Sequence, residues 1–342
     1  MNELRYRQTE AQGILLILLT SLIWGTTGTV QTLGPAGIDP IAVGALRIII
    51  GGALISARAY RMRQRSTLPW SRTLLPAGTL FVVIFQFAFF SAVRQTGVVV
   101  ATVTTIGTTP VFAGLLASVF LREKLRPVWF PATAISIVGV ILLAGGGDVA
   151  GVQVTMDRAG IGLALLAAGA YAAQTIVIRR LVQDHPPEMV MGRLFLLASL
   201  VVAPVLILRP LDWLHSAHGV GTVLYLGVVA TGLAYVLFSR GLRSVGGAMA
   251  GTVSLAEPAA AALFGFFLLD EAVSLRGALG ITAIAGALLM VTVASLLRPS
   301  GAASPVPWRV PMLVQERSGD QAGEYPGSPA PPMREEAPYN RE

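Results

Sequence analysis

The strongest constraint on this chain is the recurrence of apolar runs of about 20 residues, each long enough to cross the roughly 30 Å hydrocarbon core of a bilayer. Hydrophobic residues make up 54% of the sequence and charged residues only 13%. We therefore predict an all-α polytopic membrane protein. Ten transmembrane helices are expected, at residues 13–33, 40–59, 73–93, 98–121, 127–145, 160–178, 188–208, 220–239, 247–269 and 274–297.

The chain changes character after the tenth run. Residues 298–342 contain nine prolines, mixed charge and no apolar periodicity. Such a composition buries too little apolar surface to offset the conformational entropy of ordering the chain. We expect a disordered C-terminal tail on the cytoplasmic side, and a tail that recruits a partner is the alternative.

Basic residues indicate the orientation of the helices. Fifteen Lys and Arg residues flank the predicted spans on the side that carries both termini, and four flank them on the other side. Because short cytoplasmic loops carry an excess of Lys and Arg, both termini are expected in the cytoplasm. The same distribution explains the net charge of +7 without any binding of nucleic acid, for which no module is visible.

An internal repeat relates the two halves of the sequence. Residues of one half recur in the other at offsets between 146 and 149. The pairs are Trp24 and Tyr171, Pro40 and Pro186, Arg47 and Arg193, Gln86 and Tyr235, Pro110 and Pro258, Glu123 and Glu271, and Gly139 and Gly286. Each half has an odd number of spans, so the halves lie in opposite orientations in the membrane. We predict two inverted five-helix repeats, 13–145 and 158–297.

The duplicated motifs resemble those of the EamA-type transporters of the drug/metabolite transporter superfamily. They are Trp24-Gly25 in the first span, Pro40 followed by Arg47 in the second, and Pro110 to Glu123 in the fourth. The second half has Ala170, Tyr171 and Ala172 in place of Trp-Gly. The resemblance implies a ten-helix carrier in the bacterial inner membrane, exporting amino acids or other small polar metabolites.

Glu257 and Pro258 form the most unusual pair of residues in the spans. A charge at the bilayer centre costs roughly 2.5–3.5 kcal/mol even on insertion scales, so an acid there usually has a function. Pro258 donates no backbone hydrogen bond, which is expected to leave the carbonyl of Ser254 free to face a cavity. Thr109 and Pro110 occupy the matching positions of the other half. The acid permits proton coupling, and a neutral acid satisfied within the bundle is the alternative.

Two arginines lie about 10 Å inside their spans from opposite faces, Arg47 and Arg193. They are candidates for attracting a carboxylate-bearing cargo into the two vestibules. The alternative is that each side chain extends to the interface and makes a structural hydrogen bond. Glu123 and Glu271 sit at helix ends beside turn or basic residues, so an ion pair or a helix cap is expected there.

Aromatic and amide side chains within the spans are candidate lining of a cavity. They can stack on a solute and form hydrogen bonds with it, although contacts between helices would use the same residue types. These candidates are Trp24, Tyr171, Tyr235, Gln86 and Gln174. Small residues recur every four positions in two spans, Ala278, Thr282 and Gly286 in the tenth and Ala132 and Ser136 in the fifth. Packing within the bundle is expected for them, and a homodimer contact is the alternative.

No motif in the sequence indicates an enzyme. The chain has no cysteine, no phosphate-binding glycine-rich loop, no nucleophile with a base, and no cluster of metal ligands. We therefore expect no cofactor and no metal. The predicted function is secondary transport of a small molecule, as an exporter, by alternating access around a mid-membrane cavity. A passive channel and a membrane sensory or signalling module remain alternatives.

The predicted orientation can be tested with two fusions. Green fluorescent protein fused after Arg298 should fluoresce, because the C-terminus is expected in the cytoplasm. Alkaline phosphatase inserted between Gly145 and Arg158 should be active, because that loop is expected outside. Fusions that report the same side of the membrane would contradict the ten-span topology.

Overall fold

Helices form almost all of the regular structure in a computed structural model that describes residues 2–64, 66, 68–144, 157–270 and 274–297. Among these residues there is no β-strand. The helices are α1 (Asn2–Thr32), α2 (Pro40–Arg61), α3 (Leu74–Phe120), α4 (Trp129–Ala144), α5 (Arg158–Asp184), α6 (Pro187–Val202), α7 (Ala217–Leu224), α8 (Ala234–Gly241), α9 (Gly247–Val253), α10 (Ala256–Leu269) and α11 (Leu275–Leu296). Glu271 and the predicted tail, 298–342, lie outside the described residues.

Nine helical stretches of the described chain are long and apolar enough to cross a membrane. The all-α membrane class predicted from the sequence is therefore confirmed. The predicted span 127–145 corresponds to α4, an apolar helix of 16 residues, or about 24 Å. It is shorter than the usual crossing length, and the residues that follow it are not described.

Helix α3 contains two spans, Leu74–Thr96 and Val100–Phe120. A straight helix would separate Gly78 from Ala117 by about 58 Å. Yet Gly78 lies against Val177, and Ala117 packs in a cluster with the adjacent Ile176. The chain therefore reverses between the two spans, and both pack along α5.

The two matched prolines have different effects on their helices. Pro110 lies inside the second span of α3, Val100–Phe120, whereas Pro258 lies in the first turn of α10, after a break at Ser254–Leu255. A proline in a first turn costs little because its missing N–H would have no partner in the helix. The expectation of a free Ser254 carbonyl is wrong: it accepts the Glu257 amide hydrogen at 3.0 Å, across the break.

Glycines bring α4 and α11 into close contact. A Cβ atom at Gly280 would lie 2.6 Å from the carbonyl oxygen of Gly139, so the two backbones nearly touch. The repeat pairs Gly139 with Gly286, but a Cβ at Gly286 would meet nothing within 4 Å. Ala278 and Thr282 are exposed as well. The expectation of packing within the bundle is therefore wrong for Ala278, Thr282 and Gly286, because α11 turns Gly280 and not Gly286 toward α4. It holds for Ala132 and Ser136 of α4, which are fully buried.

Gly280→Ala should lower stability by about 1–3 kcal/mol, since the added methyl group meets backbone atoms rather than a movable side chain. The measurement is thermal unfolding of the purified protein in detergent. Gly286→Ala is the matched control on the same helix and should leave the melting temperature unchanged. Equal melting temperatures for the two variants would contradict the close α4–α11 contact.

Candidate functional site

A small cavity lies inside the bundle between α2, α3, α5 and the helices that follow. Its volume is about 10 Å³, roughly the room for one water molecule. Apolar side chains form part of the wall, and the rest is polar. The polar lining residues are Arg47, Gln86, Gln174, Thr231 and Tyr235.

Several polar atoms around this cavity are buried without a hydrogen-bond partner among the described residues. They are Nε of Arg47, Nε2 of Gln86, both amide heteroatoms of Gln174, and the hydroxyl of Tyr171. Gln174 and Tyr171 still interact with the side chains of Tyr235 and Ser254, respectively, outside ordinary hydrogen-bond geometry. Gln174 is only 1% exposed and Gln86 only 3%. An unsatisfied buried polar group costs about 1–3 kcal/mol, so groups of this kind gather where a ligand or water completes their bonding. Their convergence marks this cavity as the candidate site.

Arg47 lines the cavity, whereas Glu257 lies outside its lining. Arg47 donates a hydrogen bond from Nη2 to Oε1 of Gln86 at 3.3 Å. Arg47 and Glu257 interact electrostatically, although none of the ion pairs found in the described chain joins them. Glu257 is half-buried in the first turn of α10, where the helix dipole attracts a negative charge.

Aromatic rings close one side of the site. The ring of Trp24 lies 5.1 Å from that of Tyr235 and 6.1 Å from that of Tyr171. The indole Nε1 of Trp24 donates a hydrogen bond to the carbonyl of Ala230 at 2.9 Å. Because its only donor is already used, Trp24 offers the site an apolar surface.

A π-helical segment, Tyr225–Leu233, supplies Thr231 to the cavity. The wider turn lets the Thr231 hydroxyl donate back to the carbonyl of Leu226 at 2.8 Å. π-helical turns inside helices often occur at functional sites. Thr231 is not among the site residues predicted from the sequence. Two glycines in the same segment, Gly227 and Gly232, are the sequence feature that distinguishes it.

Thr109 and Pro110 lie apart from the polar cavity. The hydroxyl of Thr109 donates to the carbonyl of Thr105 at 2.7 Å, so it is satisfied within α3. Pro110 packs against Gly251 of α9, where a Cβ would lie 3.3 Å from its Cα. Pro258 adjoins the site through Glu257.

Arg193 also lies away from the cavity. It is exposed, and its guanidinium lies 4.0 Å from the ring of Trp70. The ring of Trp70 also stacks on the ring of His185, with centroids 3.9 Å apart, and Nδ1 of His185 is hydrogen-bonded to the hydroxyl of Ser66. Burial lowers the pKa of His185 below its ordinary value, and Arg193 lowers it further, although Asp184 opposes them. This cluster belongs to one end of the bundle.

The end of the bundle that contains Arg193 and His185 also carries Glu10, Arg126, Arg179 and Arg240. We call it the arginine-rich face. It holds four of the five ion pairs of the described residues. Glu123 accepts a hydrogen bond from Nε of Arg179 at 3.3 Å and another from the amide of Gly247 at 2.9 Å. The expected ion pair or cap at Glu123 is thus confirmed.

An apolar cluster of Ala117, Trp129, Ile176 and Ala248 lies beside Glu123 at the arginine-rich face. Along α5, Gln174 lines the cavity, Ile176 belongs to this cluster, and Arg179 pairs with Glu123. The ion pair and the cluster together pack α5 against the neighbouring helices at this end.

At the opposite end, the described residues contain one ion pair, Arg209 with Asp39 at 3.6 Å. An open groove of about 380 Å³ lies there beside Val30, His218 and Tyr225. In the described part of the chain, no three His, Asp or Glu side chains lie close enough together to hold a metal ion.

Comparison with known proteins gives the family. The model of the EamA-like transporter family matches this chain twice, at residues 11–145 and 158–293. The chain belongs to the EamA-like transporter family. It is 34% identical over 280 residues to the "Uncharacterized transporter YwfM" of Bacillus subtilis, covering 82% of this chain and 93% of the relative.

Two other similarities agree with this membership. The "Uncharacterized inner membrane transporter YedA" of Escherichia coli K12 is 26% identical over 305 residues, covering 87% of this chain and 94% of YedA. A solved crystal structure has a TM-score of 0.73 at 22% identity, covering 83% of this chain and 97% of its own. At that identity the likeness shows the fold alone. The relatives are named as transporters, and membrane transport is the function that the family supports.

Proposed function

We propose that this protein is a secondary transporter that exports small polar metabolites, such as amino acids or related compounds, by alternating access. The observation that carries the proposal is the gathering of unpartnered buried polar atoms around one cavity that Arg47 lines, with Glu257 electrostatically coupled to Arg47. The family membership supports transport. The chemistry of the cavity supports a cargo that bears both a negative and a positive group.

The proposed architecture is ten transmembrane helices in two inverted five-helix repeats, 13–145 and 158–297, followed by a disordered tail. The two separate matches to the family model support the duplication. Under this proposal α4 belongs to the fifth of the ten spans, 127–145, which completes the count of ten. The protein would lie in the bacterial inner membrane with both termini and the arginine-rich face in the cytoplasm, as the excess of basic residues there favours.

Recognition of the cargo follows from the side chains of the cavity. The guanidinium of Arg47 can bind a carboxylate through two N–H groups, and its unpartnered Nε is one of them. Glu257 offers a carboxylate to an ammonium group. The amide of Gln174 and the hydroxyl of Tyr171 can complete the hydrogen bonding, while Trp24 packs against an apolar part of the cargo.

The closed cavity supports alternating access rather than a continuous pore. A volume of about 10 Å³ is too small for an amino acid, so loading requires the walls to separate. We propose that cargo enters when Glu123 releases Arg179 and Gly247, and that it leaves when the opposite end opens. A passive channel would show flux that does not saturate and no counterflow in proteoliposomes loaded with a radiolabelled amino-acid mixture.

Arg47→Gln should raise the apparent KM for amino acids about tenfold or more, because a charged hydrogen bond contributes about 1.5–3 kcal/mol. It should also stop the protein from distinguishing amino acids from their amides, which lack the carboxylate. Counterflow in proteoliposomes measures both effects. Arg193→Gln is the matched control, since Arg193 lies on Trp70, and equal losses in both variants would contradict the role of Arg47.

Glu257→Gln keeps the size and most of the hydrogen bonding of the side chain but cannot release a proton. If Glu257 carries the coupling proton, this variant should still exchange cargo and should lose accumulation driven by a pH gradient. The measurement is cargo accumulation in sealed vesicles, with and without an imposed pH gradient, for the parent and the variant. Thr109→Ser, at the matching position of the other half, should behave like the parent. Accumulation by the Gln variant at the parental level would exclude coupling through Glu257.

A further inference from the structure

Gly44 lies on the cavity side of α2, one turn before Arg47, and its missing side chain leaves a notch for Gln86. A Cβ built at Gly44 would lie 1.6 Å from Nε2 of Gln86 and 2.8 Å from its Cδ. Contacts under about 3 Å essentially never occur for real Cβ atoms. The amide of Gln86 therefore occupies the place that any larger residue at 44 would fill.

The amide in this notch is the group that Arg47 contacts. Oε1 of Gln86 accepts the hydrogen bond from Nη2 of Arg47, while Nε2 points at Gly44 and has no partner in the described residues. Phe90 closes the notch on another side, with Cε2 3.1 Å from the same Cβ position. Because Gln86 is 3% exposed, the amide has little room in which to move.

We infer that Gly44 and Gln86 are positioning residues, which fix the guanidinium of Arg47 for binding of a carboxylate group on the cargo. The inference rests on the proposed function and deepens it. One N–H of Arg47 is held by an uncharged oxygen, so the guanidinium is oriented without losing its charge. Its Nε–H, which has no partner, stays available for the cargo.

An amide suits this role better than a carboxylate would. A glutamate at position 86 would pair with Arg47 and compete with an anionic cargo for the same cation. A glutamine orients the guanidinium through a hydrogen bond to an uncharged oxygen, which is weaker than an ion pair. A cargo carboxylate can then bind the remaining N–H groups more strongly than the glutamine does. A glutamine at position 86 therefore orients the guanidinium of Arg47 without neutralising its charge.

Three variants test the inference: Gly44→Ala, Gln86→Ala and the double variant. Gly44→Ala pushes the amide away from Arg47, and Gln86→Ala removes the amide without adding an atom. Each should raise the KM for amino acids in counterflow about tenfold. In the Gln86→Ala background, Gly44→Ala should change KM by less than about twofold, because its effect passes through Gln86. Gly28→Ala, where a Cβ meets nothing within 4 Å, is the control and should match the parent.

A second readout does not depend on transport. Phenylglyoxal labels accessible guanidinium groups, and peptide mass spectrometry gives the rate at Arg47. Gly44→Ala and Gln86→Ala should each increase that rate severalfold, whereas Gly28→Ala should not. If Gly44→Ala fails to fold, Gln86→Ala alone decides the labelling test.

The two readouts separate failure of this inference from failure of the proposed function. Unchanged labelling of Arg47 in Gln86→Ala would overturn the inference, whatever the cargo is. Faster labelling without any counterflow of amino acids by the parent would support the positioning of Arg47 and count against an amino-acid cargo. Additive effects of Gly44→Ala and Gln86→Ala on KM would overturn the claim that Gly44 acts through Gln86.

Discussion

A cation placed within an apolar bundle is the constraint on which the rest of the interior depends. Arg47 cannot be buried among aliphatic side chains without partners, because an isolated charge in a medium of low dielectric constant is very costly. The surrounding residues compensate the buried charge only in part. Gln86 supplies a hydrogen bond, Glu257 supplies a distant opposite charge, and the cavity leaves space beside Nε. A fully satisfied Arg47 would be a structural residue, whereas the incomplete one is suited to binding.

The Glu123–Arg179 pair of the arginine-rich face is more fully hydrogen-bonded than the polar groups of the cavity. At the face, Glu123 has partners on both carboxylate oxygens, and Arg179 also donates to the carbonyls of Leu242 and Arg243. In the cavity, partners are missing from several buried atoms. Satisfied ion pairs hold helices together, and they can break reversibly because water replaces their hydrogen bonds. Under the proposed function, the chain therefore uses the same types of side chain for closure at one level and for recognition at another.

The sequence predicted much of this arrangement because apolar length and charge both leave strong signals. The spans, Arg47, Gln86 and Gln174 were selected from composition and depth alone. Arg193 could not be separated from Arg47 in this way, since both lie at the same depth and only tertiary packing places one on Trp70. Gly44 and Thr231 were missed for a related reason. A glycine notch and a π-helical turn act through the position of a neighbour, which a single sequence does not record.

The break before Pro258 makes the matched helices of the two halves mechanically unequal. In the first half the helix passes through Pro110 without interruption, while in the second half the chain turns at Ser254–Leu255, beside the acid of the site. A continuous helix moves as one rigid element, whereas an interrupted helix can bend where its hydrogen bonds are broken. Two halves that are alike in sequence pattern thus differ in the continuity of this matched helix. If access alternates as proposed, the second half has a point at Ser254–Leu255 where its helix can bend, and the corresponding span of the first half has none at Pro110.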